Sequence, residues 1–303
     1  MVAKDHNTVT YGPHLFPGGP EPYIRRSDLE ISTGEAHRNI RDTLVAAFSN
    51  GNPHSILAQV SERFGLECDT PARLAFMNYG NMQLVYLATL ADDVRVAALI
   101  NQPHTPLGKV REEFDTLQRL VEIDPRFVVE PLAHFSMRGK GHELYASRYV
   151  DNAMCIAVNG GQGVYDPLPR YHFEGFAPEI SHAVNSTMIA LLVNYHDGER
   201  GKGISKTQTS GDDFILTRDF TKDNPSTVQP NMRLIAARGL IDVSLDAYLA
   251  IVRQEFLIGT NRDDPAVLNG QMRVNTRSAL PMTEQEIEDG IELGLRLREQ
   301  RGV

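Results

Sequence analysis

The stretch Leu84-Val85-Tyr86-Leu87-Ala88-Thr89-Leu90-Ala91-Asp92-Asp93-Val94-Arg95-Val96-Ala97-Ala98-Leu99-Ile100 decides how the first half of this chain folds. Two apolar runs rich in Val, Leu, Ile and Tyr flank a short acidic break. That pattern predicts two antiparallel strands joined by a tight turn at Ala91-Asp92-Asp93. Upstream, Leu74–Met77 reads as a third strand, set off by Asn78-Tyr79-Gly80-Asn81. Downstream, Phe114, Leu117, Leu120 and Val121 share one face of a helix predicted over Lys109–Ile123. Asp124-Pro125 ends it, because the residue before a proline is pushed out of helical geometry. Two more strands, Phe127–Phe135 and Glu143–Val150, are joined by Arg138-Gly139-Lys140-Gly141. The order is β-β-β-α-β-β.

Outside this block the texture differs. The first 26 residues hold Pro13, Pro17, Gly18, Gly19, Pro20 and Pro22, which predicts an irregular arm. Two helices follow: Gly34–Phe48, with Ile40, Leu44 and Phe48 on one face, and Pro53–Phe64, stopped by Gly65. Beyond residue 150 the pattern is mostly helical. Asn159–Glu179 reads as a long loop and Ile180–Asn194 as an apolar helix. Ile204–Thr209 and Phe214–Arg218 read as a hairpin around Ser210-Gly211-Asp212. Leu234–Ala237 and Leu245–Leu257 read as helical. Thr283 and Glu286 form a capping box that starts a last helix through Ile287, Ile291 and Leu295.

Composition bounds the function. The 303 residues carry 30 Lys+Arg against 39 Asp+Glu, a formal net charge of −9. Nucleic acid and anionic lipid both need a basic face, so neither is an expected partner. Two cysteines, Cys68 and Cys155, exclude a disulfide framework and a four-cysteine zinc site. Apolar runs such as Met188–Val193 are too short to span a bilayer, and no apolar region follows Met1, so a cytoplasmic location is expected. Gly201-Lys202-Gly203 and Gly139-Lys140-Gly141 lack the spacer and the Ser/Thr of a phosphate-binding P-loop. His142-Glu143 and His172-Phe173-Glu174 lack a second histidine at zinc spacing. Asp212-Asp213 reads as a solvated turn and His196 as a packed or surface histidine.

Between Arg73 and Phe220 the element order and five local strings resemble the protein-kinase-like fold, which also houses small-molecule phosphotransferases. Gly80 followed by Val85 resembles a worn glycine-rich phosphate loop. Val96-Ala97-Ala98-Leu99 falls where that fold has its Val-Ala-x-Lys strand, but Leu99 or Ile100 stands in place of the lysine. Arg95, on the face of Ala97 and Leu99, is the substitute cation if the strand is shifted. Glu113, in Glu-x-x-x-Leu-x-x-Leu spacing, resembles the helix glutamate that pairs with the lysine. Glu143–Asp151 resembles the strand entering the inter-lobe hinge, so Arg148, Tyr149 and Val150 would offer backbone groups to adenine. Asp197 matches the aspartate that orients the acceptor hydroxyl and Asp219, before Phe220, the magnesium aspartate. Lys202 stands where the metal-binding asparagine should be, and Thr221 replaces the glycine.

The resemblance implies an α+β, bilobal protein-kinase-like fold: a small antiparallel-sheet lobe with one helix over 72–150 and a mostly helical large lobe over 151–303. Residues 1–71 would form an N-terminal arm and helical extension, free to pack on the small lobe or on a protein partner. Absence of tryptophan and of an Ala-Pro-Glu after Asp219 sets conventional protein kinases aside. Two functions remain on that fold. One is an ATP- and magnesium-dependent phosphotransferase acting on a hydroxyl of a small-molecule or protein acceptor. The other is a catalytically impaired pseudokinase that binds or regulates. A third reading, an unrelated α+β protein, stays open.

Overall fold

The computed structural model describes residues 10–11, 33–49, 51–67, 72–79, 83–103, 105–151, 153–157, 170–172, 178–205, 213–217, 219–221, 223–237, 239–260 and 282–302. The chain divides into two compact units. The first comprises Met1–Asp115, Glu130–Tyr149 and Tyr165–Pro167, and the second comprises Thr116–Val129, Val150–Val164 and Leu168–Val303.

The first unit is a sheet covered by helices. Its elements are β1 (Thr10–Tyr11), α1 (Thr33–Phe48), α2 (Ile56–Phe64), β2 (Arg73–Tyr79), β3 (Gln83–Thr89), β4 (Arg95–Asn101), α3 (Lys109–Ile123), β5 (Pro131–Met137) and β6 (His142–Arg148). Helix α3 begins here and runs on into residues of the second unit. The strand order is β1-β2-β3-β4-β6-β5, antiparallel throughout except for the parallel β1–β2 edge. Successive strand residues point to opposite faces, so each strand feeds two layers. Leu84, Tyr86 and Ala88 of β3, Val96, Ala98 and Ile100 of β4, and Leu144 and Ala146 of β6 face one way. They share one core with Ile40, Leu44 and Phe48 of α1 and Ile56, Leu57 and Val60 of α2. The N-terminal helices are therefore built into the core of the sheet. The opposite face carries Glu113 and Phe114 of α3 against Tyr145, with ring centroids of Phe114 and Tyr145 6.0 Å apart.

Local chemistry explains the boundaries. Helix α2 starts at Ser55, whose hydroxyl accepts from the Ala58 N–H at 3.1 Å, and ends at Gly65 with φ 65°. The β3–β4 turn places Asp92 and Asp93 at φ 53° and 56°, which short polar side chains tolerate. The expected strand Phe127–Phe135 starts instead at Pro131, because Asp124 caps a 3₁₀ turn over Pro125–Phe127 through the Arg126 N–H. Thr10–Tyr11 adds a strand where the sequence predicts only an irregular arm.

The second unit contains β7 (Met154–Ala157), β8 (Arg170–His172), α4 (Pro178–Asn194), β9 (Lys202–Ile204), β10 (Phe214–Leu216), α5 (Val228–Asn231), β11 (Met232–Leu234), β12 (Leu240–Asp242), α6 (Leu245–Thr260) and α7 (Glu284–Gln300). A four-stranded sheet runs β11-β10-β7-β8, and β9 pairs separately with β12. This corrects the expected hairpin of Ile204–Thr209 with Phe214–Arg218: β9 and β10 lie in different sheets. Residues 206–212, which hold most of the expected first strand and its turn, lie outside the described residues, as does Arg218. Leu234–Ala237 is not helical either; Leu234 ends β11 and the next three residues are irregular.

Helix α4 is buried nearly all round, from Val184 to Asn194. It packs on α7 at Gly290 and Gly294. A Cβ at Gly294 would lie 2.6 Å from the Val193 Cβ and 2.7 Å from the Ala190 carbonyl oxygen. Thr283 and Glu286 form the expected capping box of α7, with the Thr283 N–H donating to Glu286 Oε2 at 2.6 Å. Among the described residues no helix is long and apolar enough to cross a membrane.

Candidate functional site

In the first unit, the sheet face toward α3 carries Gln83 and Val85 of β3, Leu99 of β4 and Tyr145 of β6. Strand register sets Val85 opposite Leu99 and Leu99 opposite Tyr145. Val85 and Leu99 are half-buried. Glu113 projects from α3 onto this face and is only 1% exposed. Its two oxygens accept from neutral groups: Oε2 from Gln83 Nε2 at 2.6 Å and Oε1 from the Tyr145 hydroxyl at 3.1 Å. A buried carboxylate needs such donors, since leaving it unsatisfied is costly. Tyr145, directly across the ladder from Leu99, thus helps hold the glutamate in place.

A second set of bonds fixes the start of the same helix. Glu143 Oε2 accepts from the Gly108 N–H at 2.9 Å, one residue before α3. Asn101 Oδ1 accepts from the Glu143 N–H at 2.7 Å, and Asn101 Nδ2 donates to the Gly141 carbonyl at 3.2 Å. Sequence reasoning singled out Glu113 but not Gln83, Tyr145 or Asn101. Their signal is three buried polar residues inside apolar strands, which read on their own as strand residues.

Of the other expected site residues of this unit, Val85 shares this face, whereas Arg95 and Arg148 have partners elsewhere. Arg95 lies over the Tyr149 ring at 5.8 Å. Arg148 pairs with Glu130 at 3.0 Å and lies over the Phe64 ring at 5.1 Å. Gly80 lies outside the described residues. The chain leaves the first unit after Tyr149, and Val150 belongs to the second, where it packs with Val129, Ala153 and Ile215.

In the second unit, Asp197 is buried just past α4. Its Oδ2 accepts from Arg119 Nη2 at 2.5 Å and from Arg119 Nε at 3.2 Å, and its Oδ1 accepts from the Arg200 N–H at 3.2 Å. Burial works to raise its pKa, but Arg119 and the Arg200 N–H outweigh it and hold the carboxyl below the usual aspartate value. The guanidinium it meets comes from the second-unit part of α3 and also pairs with Glu122. Lys202 pairs with Asp242 at 3.0 Å, while its backbone exchanges two hydrogen bonds with Asp197. Asp219 is exposed in a turn within the β10–β11 connection. Among the described residues no group of three or more His, Cys, Asp or Glu could hold a metal ion.

Sequence reasoning also missed a buried network at the end of α4. Asp124 accepts from Arg126 Nη2 at 2.9 Å and from Asn194 Nδ2 at 3.0 Å. The Tyr195 hydroxyl donates to the Asp124 carbonyl at 2.8 Å, and Arg301 donates to the Asn194 carbonyl at 2.5 Å. Burial pushes the Asp124 carboxyl up, but its hydrogen bonds from Arg126 and Asn194 bring it below the ordinary value. Burial holds the Tyr195 phenol well above its usual range, so it stays a donor. These residues tie together the C-terminal ends of α3, α4 and α7.

No family model matches the chain, and no curated protein matches it. Protein-kinase and pseudokinase domains are among the solved structures similar to it. The crystal structure of the BubR1 kinase domain has a TM-score of 0.39 and 15% identity, covering 58% of this chain and 48% of that one. The chain thus spans about half the length of that kinase domain. The structure of an apo pseudokinase has a TM-score of 0.38 and 12% identity, covering 75% of this chain and 91% of that one. Similarity at this level carries no information about activity. What the coordinates establish is a mixed α/β chain, with an antiparallel sheet in one unit and a helix-rich second unit.

Proposed function

We propose that this chain is a kinase-fold binding module of the pseudokinase kind, which does not transfer phosphoryl groups by the usual lysine–glutamate and magnesium route. The observation that carries the reading is the Glu113 site. In the fold it resembles, that glutamate positions a lysine on the ATP phosphates. Here, among the described residues, Gln83 and Tyr145 donate to its two oxygens. Both donors are neutral and cannot offset triphosphate charge.

The strand pairing supports the same reading. By the resemblance, the magnesium aspartate follows a pair of antiparallel strands. The pair observed is β10 with β11, so the segment after it is Ile235-Ala236-Ala237 through Gly239. That segment holds no carboxylate, and Ala236 and Ala237 are buried. Asp219 precedes β11, and Asp197 is engaged by Arg119. Among the described residues, the carboxylates at these positions do not form the donor set that ATP with magnesium needs.

The test is nucleotide turnover by the full chain with ATP and magnesium over a broad panel of hydroxyl acceptors, beside thermal unfolding with the same nucleotide. The expected result is turnover no greater than that of Asp197→Asn and Asp219→Ala, and no magnesium-dependent stabilisation. Turnover abolished by either substitution would instead establish a phosphotransferase with unorthodox phosphate anchoring.

A further inference from the structure

The turn His196–Arg200, which follows α4, gathers guanidinium groups in a chain whose formal net charge is −9. Arg298 reaches it from α7. It is only 5% exposed, and its one hydrogen bond runs from Nη1 to the His196 carbonyl oxygen. Among the described residues no carboxylate lies within ion-pair distance of it, although the charge of Asp197 acts on it from farther away. A guanidinium has five donors and does not give up its proton, so a buried one with a single carbonyl partner is under-satisfied. Among the described residues neither its Nε nor its Nη2 has a hydrogen-bond acceptor. Nη2 lies 2.9 Å from where a Cβ at Gly198 would stand, and only glycine leaves that donor uncovered.

A second cation faces the same turn. The Arg200 side chain is 61% exposed, and its Nε lies 4.0 Å from Asp197 Oδ2 without a hydrogen bond to it. Asp197 is already taken by Arg119 at 2.5 Å. Beside these donors, His196 gives Nε2 to the Val243 carbonyl at 2.9 Å, which leaves its Nδ1 sealed and without a partner. Burial lowers the pKa of this imidazole, so it stays neutral and Nδ1 is an acceptor. Glu199, exposed on the same turn, offsets part of the positive charge.

We propose that this turn binds a phosphate-class oxyanion, held by Arg298 and Arg200 over the bare backbone of Gly198. Two planar forks arriving from different elements suit a tetrahedral anion, which offers oxygens in several directions, better than a flat carboxylate. The ligand is either free phosphate or a phosphoryl group carried on a protein side chain.

Thermal unfolding of the full chain, followed by circular dichroism, tests this with inorganic phosphate and with O-phosphoserine, each against chloride at equal ionic strength. At 20 mM anion the expected rise in Tm is about 2–4 °C. The rise disappears in Arg200→Ala, whose exposed side chain makes no hydrogen bond in the fold, and in Arg298→Gln. Excluded anions stabilise proteins generally, so the comparison with the variants decides. A larger response to inorganic phosphate assigns the free ion, and a larger response to O-phosphoserine assigns a phosphorylated side chain; either supports the site. No response to either anion, or a response of equal size in Arg200→Ala, overturns it.

Discussion

Replacing Gly294 by alanine sets two general rules against each other. On helix propensity alone the change stabilises, by about 1 kcal/mol for a helical glycine. The packing of α4 on α7 says otherwise. The new Cβ would stand 2.6 Å from the Val193 Cβ, 2.7 Å from the Ala190 carbonyl oxygen and 2.9 Å from Val193 Cγ1, where ordinary contact begins at 3.4 Å. The two helices must part by nearly an ångström, and neither a backbone oxygen nor a β-carbon can swing aside. A Cβ at Gly290 would likewise stand 2.5 Å from the Ile189 Cβ and 2.6 Å from the Ser186 carbonyl oxygen, so the same close approach of α4 and α7 holds one turn earlier. Overpacking of this kind costs about 1–3 kcal/mol, and rigid neighbours put this site at the upper end. The net expectation is a loss of about 1–2 kcal/mol, or a fall in Tm of about 2–8 °C. Thermal unfolding by far-UV circular dichroism measures it. A variant that melts at or above the parent temperature would refute the close-packing argument.

Truncating Glu113 to alanine strands the Gln83 amide and the Tyr145 hydroxyl in a buried site. It should cost about 1–3 kcal/mol, more than Tyr145→Phe, and urea midpoints of the two variants give the comparison. Stability should also fall as the medium is acidified. His196, His134 and His142 are held neutral by burial, below the ordinary imidazole value, so the unfolded chain binds more protons than the folded one below about pH 6.5. Asp124 and Asp197 have lowered values in the fold, so their stabilisation is present above about pH 4 and is lost as pH falls through their folded values. Urea midpoints between about pH 7.5 and pH 2 should decline in these two stages, and a flat profile would contradict both assignments. A double-mutant cycle on Arg119 and Asp197 should show a coupling of about 0.5–3 kcal/mol, whereas additive effects would mean that the ion pair contributes nothing.

The first unit was largely legible because its signals are local and strong. The apolar face of Lys109–Ile123 and the break at Asp124-Pro125 place α3 with its observed limits. The tight turn at Ala91–Asp93 sits between strands as expected. The second unit was read less well. Its strands β9, β10, β11 and β12 are three residues each, too short for alternation to declare a partner, and proximity in sequence suggested the wrong one. The partners of Glu113 were illegible for a different reason. Gln83 and Tyr145 lie 30 and 32 residues away, and only strand register brings them onto one face. Likewise, nothing in the local sequence of Asp197 announces Arg119, which lies 78 residues upstream.

The burial of α4 on every side has a consequence for synthesis. Its cover, α7, lies at the far end of the chain, and about 90 residues separate the end of one from the start of the other. At roughly 5–20 residues per second, a ribosome leaves that apolar helix uncovered for about 5–20 seconds. Through this interval Val184, Met188, Leu191 and Leu192 are sticky surface on a nascent chain, a natural substrate for a holdase chaperone. The core of the second unit is thus sealed only when a helix made long after α4 has emerged.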